Sequence, residues 1–434
     1  MLVTPLQRRK GGWASDDIGI LDVPISWIPH LPVQFLMMKN ILKDILLKKR
    51  RIMINYPLAT DSWDWKEKLA ILKVMVDGRY TMGPHVARFE KEFADKIRSR
   101  NAIMTNSGSS ANLVGLHALV LKQKIKPGSE VIVPAVSWST TYFPIVQLGL
   151  VPVFVDIDIN TFNICTKNIV RAITSETCAI LAVNLLGNPC NLFVLKNICY
   201  NHKIELIEDN CESLGATFYA KQTGTFGVFG TFSFFFSHHL QTMEGGMIVT
   251  DDDSLADYMR SLRAHGWIRD LKNIDLYTKS GNAFEDSFKF ILPGYCVRPL
   301  EMSGAIGSVQ LKKMDKIISK RRENAEVFLN EFSHDFITQK EYSAKSSWFG
   351  FGIVLKDHRE NNREEIIKRL QSHGVEVRPI VAGNFTKQPV MKFLNSRIHG
   401  ELKDAEYLDK NGFFFGNDHR DLKDKIKYVR NVIG

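Results

Sequence analysis

Four short stretches carry residue types that could do chemistry together. NAIMTNSGSSANLVGLHALVL, residues 101–121, runs a strand-like segment through Ser107-Gly108-Ser109-Ser110 into a helical one. Glycine permits a tight turn there, and free N–H groups at a helix start attract phosphate. The same serines would also serve as a plain helix N-cap. VIVPAVSWSTTYF, residues 131–143, sets Trp138 just past a buried strand, where open α/β sheets place ligands. An indole there can stack on a flat ring, although an isolated tryptophan is more commonly core.

KIELIEDNCESLGA, residues 203–216, delivers Glu208, Asp209 and Glu212 at another strand end. Three carboxylates so close need a cation or a ring N–H beside them, and a carboxylate beneath a pyridinium nitrogen would keep that ring an electron sink. Acids at a helix N-terminus account for Asp209 and Glu212 without any cofactor. FGTFSFFFSHHLQTMEGG, residues 229–246, holds the pair His238-His239 between a phenylalanine-rich strand and a Glu-Gly-Gly turn. Read as strand, adjacent side chains point to opposite faces, so the pair cannot readily chelate one ion and no metal site is expected.

The elements that must position these groups follow from periodicity. Residues 61–78 read as a helix with Asp61 as N-cap candidate and Gly78 as C-terminal glycine, and GPHVARFEKEFADKI as a second helix. NAIMT, EVIVPAV, VPVFVDID, CAILAVNLL, IELIED, GTFSFF and GMIVTDD are β-branched and aromatic runs bounded by polar turns, alternating with helices. They predict a large, mostly parallel sheet covered on both faces. Beyond about residue 300 the pattern changes. SGAIGSVQLKKMDKIISKRRENAEVFLNEF reads as one long helix, followed by strand SWFGFGIVL, a helix at 363–373 and VEVRPIV. The expected organisation is α/β: residues 53–300 a large cofactor-binding domain, residues 301–434 a smaller α+β domain.

Composition is that of a globular protein, 44% hydrophobic and 24% charged over 434 residues. The net charge of +10 invites a nucleic-acid reading, which weakens on inspection. Residues 1–52 hold nine Lys/Arg against four Asp and so carry half of it. The remainder has no arginine-rich tract or aromatic RNA-binding signature, so no nucleic-acid partner is expected. Its modest positive field suits an anionic, phosphorylated substrate or simply a solvated basic surface. The six cysteines include no C-x-C or C-x-x-C pair, which with no secretory signal points to reduced thiols in a cytoplasm. Residues 1–52, with three prolines in VPISWIPHLP and the basic run Lys48-Lys49-Arg50-Arg51, are too broken by charge to span a bilayer. They read either as an amphipathic surface segment or as an upstream extension with Met53 the true start.

Taken in order, these blocks resemble the pyridoxal-phosphate-dependent sugar aminotransferase family (DegT/DnrJ/EryC1/StrS), and the resemblance runs over roughly residues 53–434. MINYPLA, RYTMG, NSGSSANL, PAVSWSTTY, IEDNCESLGATF, SHHLQTMEGG, RAHGWIRDL, LPGYCVRPLEMSGAIG and RPIVAGNF all take part. In that family a lysine, which holds the cofactor as a Schiff base, stands six residues before the glutamate of E-G-G. Here that position is His238, and no lysine lies between Lys221 and Lys272. The chain is therefore similar to the lysine-free branch, the sugar 3-dehydratases.

The resemblance implies a fold type I architecture and a cofactor that cycles between pyridoxal and pyridoxamine 5'-phosphate. L-glutamate would supply the amino group, and the amine would condense with the C4 ketone of a GDP-linked 4-keto-6-deoxyhexose. His238 would take a proton from the cofactor's C4′ carbon, its near-neutral pKa suiting the task. The C3 hydroxyl would leave, and hydrolysis would give a 3-deoxy-4-keto sugar and ammonia. The same chemistry, or 4-aminotransfer, on a different nucleotide-linked 4-keto-6-deoxysugar is the alternative. By the same resemblance Gly108, Ser109 and Ser233 would cradle the phosphate, Trp138 would stack on the ring, Asp209 would pair with its nitrogen, and Glu212 would lie near its edge. Tyr80, Thr81, Met82, Gly83, Arg269 and Glu376 would meet sugar nucleotide or glutamate. Cys296 stands where relatives offer an asparagine to the phosphate of the second subunit, and a thiol is a weaker donor. The expected assembly is a cytoplasmic homodimer with shared active sites, with no iron–sulfur cluster, no reductase and no membrane span, on a route to a 3,6-dideoxysugar such as colitose in a lipopolysaccharide O-antigen.

Overall fold

The structure, a computed structural model, describes residues 55–269, 271, 282–356 and 362–434. The basic segment before Met53 lies outside the described residues, and residues 54–434 form one compact unit.

Strands appear where the apolar runs demand them: β1 Asn101–Thr105, β2 Glu130–Pro134, β3 Val151–Val155, β4 Thr177–Val183, β5 Glu205–Asp209, β6 Phe229–Ser233 and β7 Gly246–Thr250. Nearly every residue of these strands is buried, as expected for a sheet covered on both faces. Further along the chain come β8 Phe336–Ile337, β9 Gly350–Leu355, β10 Val377–Arg378, β11 Arg397–Ile398 and β12 Gly412–Gly416. The large sheet runs β1-β7-β6-β5-β4-β2-β3-β11. Only β7 is antiparallel to its neighbours, so β1, β2, β4, β5 and β6 all deliver their C-terminal ends to one edge. That edge is where an open α/β sheet can build a site.

Two helices precede the sheet, α1 Trp65–Asp77 and α2 Pro84–Ile97. Asp64, not Asp61, caps α1. Its carboxylate accepts from Lys66 N at 2.7 Å, while Glu67 Oε2 accepts from Asp64 N at 2.8 Å, a reciprocal capping box. Gly78 closes the helix with φ 71°. The sheet is covered by α3 Gly108–Gln123, α4 Ser139–Gln147 and α5 Asp253–Arg263, among others.

The long helix expected after residue 300 is two helices, α6 Glu301–Leu311 and α7 Met314–Phe332. The break at Lys312-Lys313 turns the Lys313 ammonium onto Glu67, at 2.6 Å, and Asp64, at 3.0 Å. Glu67 is fully buried, and a buried carboxylate needs such partners; Gln310 Nε2 also donates to it at 2.7 Å. The four-stranded sheet β8-β9-β12-β10 packs on α7 through an aromatic core of Phe328, Phe332, Phe336, Phe351 and Phe415. Stacked Phe328 and Phe351 lie 4.6 Å apart, and Phe351 meets Phe415 at 5.3 Å. β11, from the C-terminal third, returns to pair with β3 in the large sheet.

Candidate active site

A cavity of about 330 Å³ opens at the C-terminal edge of the large sheet. Gly108, Ser109, Trp138, Asp209, Glu212, Ser233 and His238 all line it, so the structure brings together seven residues read from separate stretches. A second cavity, of about 400 Å³ around Asp158, Lys167, Lys340 and Asp404, holds none of these groups.

At one end of the cavity the first turn of α3 presents Gly108 and Ser109. Ser107 caps the helix by accepting from Ser110 N at 3.1 Å. Gly108 is required by close approach: a Cβ there would stand 2.6 Å from Ser233 Cβ and 3.0 Å from Cys211 Sγ. Helix N–H groups and two hydroxyls thus converge on one small volume, the donor set a phosphate needs.

Asp209 ends β5. Its Oδ2 accepts from Asn112 Nδ2 at 3.0 Å and from Thr141 Oγ1 at 2.8 Å, and its Oδ1 from Cys211 N at 3.1 Å. Thr231 Oγ1 donates to Asn112 Oδ1 at 2.6 Å and fixes that amide in turn. The carboxylate is therefore oriented before any ligand arrives. Trp138, 58% exposed at the N-cap of α4, offers the cavity a flat apolar face. A wide aromatic plate, a fixed carboxylate and an anion cradle fit a heteroaromatic ring that carries both a protonated nitrogen and a phosphate.

The three adjacent carboxylates do not act as a cluster. Glu208 points away and accepts from the backbone N–H groups of Gly224, Phe226 and Gly227 at 2.6–3.0 Å, a structural role. Glu212 stays in the cavity, where it accepts from Leu186 N at 2.9 Å. Burial first, and then the charge of Asp209, push its carboxyl up to about 7. Two neighbouring carboxyls thus have different environments, one held by three donors and one by a single donor. Burial also holds the Cys211 thiol up, so that it remains protonated.

The histidine pair is not on a strand. β6 ends at Ser233, and residues 235–240 form turns in which His238 N donates to Phe235 O at 2.9 Å. His238 faces the cavity with Ser237 Oγ 3.4 Å from its Nδ1. His239 is buried instead, its Nε2 3.1 Å from Ser347 O, and serves packing. Both rings meet Phe349, His238 edge-on at 5.2 Å and His239 at 5.8 Å. Among the described residues no group of three or more His, Cys, Asp or Glu is placed to hold a metal ion. The near-neutral pKa expected of His238 is also corrected. Burial, then the nearby Arg321 guanidinium, push it down to about 3, so the imidazole is a neutral acceptor at physiological pH.

The remaining sequence candidates lie off the cavity within one chain. Tyr80, Thr81, Met82 and Gly83 lead into α2, where Tyr80 is 51% exposed and Thr81 bridges Leu300. Arg269 is exposed and stacks over Trp267 at 5.0 Å. Cys296 is exposed and takes a contact from Arg298 Nη2 at 3.7 Å. Glu376 reaches the rim indirectly, its Oε2 accepting from the N–H of Leu58, a lining residue.

Sequence reasoning missed the opposite wall, Phe349, Arg378, Val381 and Phe414. Arg378 stands two residues past Glu376 on β10 in the stretch VEVRPIV, and the alternation of that strand was the one available signal. Asn112 and Thr141, which orient Asp209, were missed as well; each sits about one helical turn beyond the residue that drew notice.

Residues 62–433 match the sequence model of the DegT/DnrJ/EryC1/StrS aminotransferase family. The chain is 51% identical over 387 residues to GDP-4-keto-6-deoxy-D-mannose 3-dehydratase of Escherichia coli O55:H7, covering 88% of this chain and 100% of that protein. It is similar to a solved structure of the E. coli GDP-4-keto-6-deoxy-D-mannose 3-dehydratase with bound hydrated PLP, with a TM-score of 0.85 and 51% identity over 88% of this chain and 100% of the other. It is equally similar, with a TM-score of 0.85 and 50% identity over the same shares, to a mutant form of that kind of enzyme with bound GDP-perosamine.

Proposed function

Because the chain belongs to the DegT/DnrJ/EryC1/StrS aminotransferase family, we propose that it converts GDP-4-keto-6-deoxy-D-mannose to GDP-4-keto-3,6-dideoxy-D-mannose. L-glutamate is the amino donor. The balance closes: the sugar loses its C3 oxygen, and glutamate becomes 2-oxoglutarate and ammonia, supplying the two electrons. The observation that carries this reading is an imidazole in the cavity where, by the family resemblance, the aminotransferases carry a lysine.

Gly108, Ser109 and Ser233 would hold the cofactor's phosphate, Trp138 would cover its ring, and Asp209 would accept from the ring N–H. Pyridoxamine phosphate bound there would supply an amine for the ketone and a ring that serves as an electron sink. Asp209, already fixed by Asn112, Thr141 and Cys211 N, keeps the ring nitrogen protonated at no further ordering cost. His238 is neutral and has no side-chain amine to tether the cofactor, so it can take a proton at C4′ and return one. Glu212, with a carboxyl near neutrality, can hold a proton within the same cavity. Arg378 places a cation on the opposite wall, suited to a carboxylate of glutamate.

The reading includes a cytoplasmic location and a homodimer with shared sites, the latter supported by exposed apolar side chains and by candidates that lie off the cavity within one chain. Tyr80, Phe235, Phe236 and Leu300 are each 44–54% exposed, and Cys296 is exposed as well. No helix of the described residues is long and apolar enough to cross a membrane. The product suits a route to a 3,6-dideoxysugar such as colitose for a lipopolysaccharide O-antigen. The decisive experiment incubates the purified protein with pyridoxal phosphate, glutamate and GDP-4-keto-6-deoxy-D-mannose, then reads the product by mass spectrometry and ammonia by coupled assay. Loss of the C3 oxygen with ammonia release is expected. A 4-amino sugar without ammonia would overturn the assignment.

A further inference from the structure

Arg321 of α7 is buried, 5% exposed, and forms no ion pair with an acidic side chain among the described residues. Its nearest acidic influence, Asp418, is itself engaged by Arg420 at 2.7 Å. Instead Nη1 donates to three backbone carbonyls, Asn417 O at 2.7 Å, Phe349 O at 3.1 Å and Trp348 O at 3.2 Å. Asn417 Nδ2 closes the loop by donating to Arg321 O at 3.0 Å and Trp348 O at 2.9 Å, while Arg321 Nε is buried without a partner. A buried guanidinium without a side-chain ion pair and with Nε unbonded is expensive to keep.

What the guanidinium holds leads to the active site. Phe349 O is one acceptor, Phe349 N donates to Leu186 O at 2.9 Å, and the Phe349 ring lines the cavity edge-on to His238. The carbonyl two residues earlier, Ser347 O, takes His239 Nε2. Three successive carbonyls, 347 to 349, are thus committed to the pair His239 and Arg321, and Trp348 between them adopts φ 49°, a left-handed conformation that needs such restraint.

We propose that Arg321 is a positioning residue of the reaction: by clamping the carbonyls of Trp348 and Phe349 it fixes the Phe349 ring, and through that ring the His238 imidazole. This inference rests on the reading of His238 as the base. The same guanidinium lies behind both imidazoles, and its positive charge disfavours a second one on either ring. The other charged or titratable groups around the pair are Arg322, which adds to the effect on His239, His419, Asp418 with Arg420, and across the cavity Asp209, Glu212, Glu244 and Arg378.

The test compares Arg321→Met, Arg321→Lys and Phe349→Leu with the parent. Imidazole titrations are followed by NMR on cofactor-free full-length protein, with His238→Asn assigning the signal. The parent His238 should remain silent down to pH 5, and in Arg321→Met its titration should move to higher pH than in the parent, with burial still holding it below the free value. With the cofactor added, kcat of Arg321→Met should fall about 10-fold with KM changed less than about 3-fold, and its acid limb should move to higher pH. Arg321→Lys should restore the silent imidazole and most of kcat. Phe349→Leu should lose kcat while its imidazole stays silent, separating the ring contact from the charge. Should Arg321→Met fail to fold, the Lys and Leu variants still decide. A His238 signal unmoved in Arg321→Met, or full kcat in Phe349→Leu, overturns the proposal whatever the stability of the variant. Because the titrations need neither cofactor nor sugar, a mistaken substrate assignment would leave them standing.

Discussion

The cavity has two walls built by different means. The sheet wall consists of Gly108, Ser109, Trp138, Asp209 and Ser233, each at or just beyond the C-terminal end of a strand. The opposite wall, Phe349, Arg378, Val381 and Phe414, comes from the C-terminal third and is placed by the Arg321 clamp and the aromatic core around Phe351. The first wall is set by local backbone geometry and can grip a cofactor by itself. The second brings a ring and a cation to substrate and base. Cofactor affinity should therefore depend on the sheet wall, and turnover and donor recognition on the other.

The sharpest break falls on His238, which stands between the walls. His238→Asn should lower elimination about 10³-fold while cofactor binding, read by absorbance titration, changes little. His238→Lys should capture the cofactor covalently, seen as an added mass after borohydride reduction, and divert the enzyme toward aminotransfer. A His238→Asn enzyme that still releases ammonia at the parental rate would remove the imidazole from the chemistry. Next in size are the sheet-wall variants. Ser233→Ala should weaken cofactor binding about 10-fold, the cost of a lost hydrogen bond to a charged group, with kcat at saturating cofactor nearly unchanged. Gly108→Ala should do more, since its Cβ would meet Ser233 Cβ at 2.6 Å. Arg378→Met should raise KM for glutamate about 10-fold and leave cofactor affinity alone. If Arg378→Met instead released the cofactor, the division between the walls would fail.

The same division explains what the sequence made legible. The parallel sheet was readable because its strands are continuous apolar runs between polar turns, and the cradle, Trp138 and Asp209 sit on those turns. Glu208 was misread because strand alternation sends it to the other face, where three backbone N–H groups absorb its charge. His238 was misplaced on a strand because the phenylalanine run continues past Ser233, whereas the chain turns there so that Thr242 N can donate to Phe234 O at 2.9 Å. The break at Lys312-Lys313 was hidden because both halves have helical periodicity and the cause, buried Glu67, lies some 245 residues away in the chain. Arg378 and Phe349 were missed for the same reason: their position is a product of tertiary packing, and no local pattern announces it.

The smallest expected effect concerns Glu212, the cavity carboxyl held by a single donor. Glu212 is pushed up to about 7 in the folded protein from a reference near 4.5, so the folded state binds more protons than the unfolded state between those values. Stability must then fall as pH rises through that window, because a buried carboxylate has to be charged. His238 has the opposite sign. Its value of about 3 against 6.5 means that the unfolded chain takes up the proton first, so stability is lost as pH falls below 6.5. Glu212→Gln removes only the first slope. In cofactor-free protein the melting temperature of Glu212→Gln should exceed that of the parent by about 2 °C or more at pH 8, with the gap closing toward pH 4.5. A gap that stays constant with pH would mean that Glu212 is ionised throughout, and its place as a proton holder in the cavity would be lost.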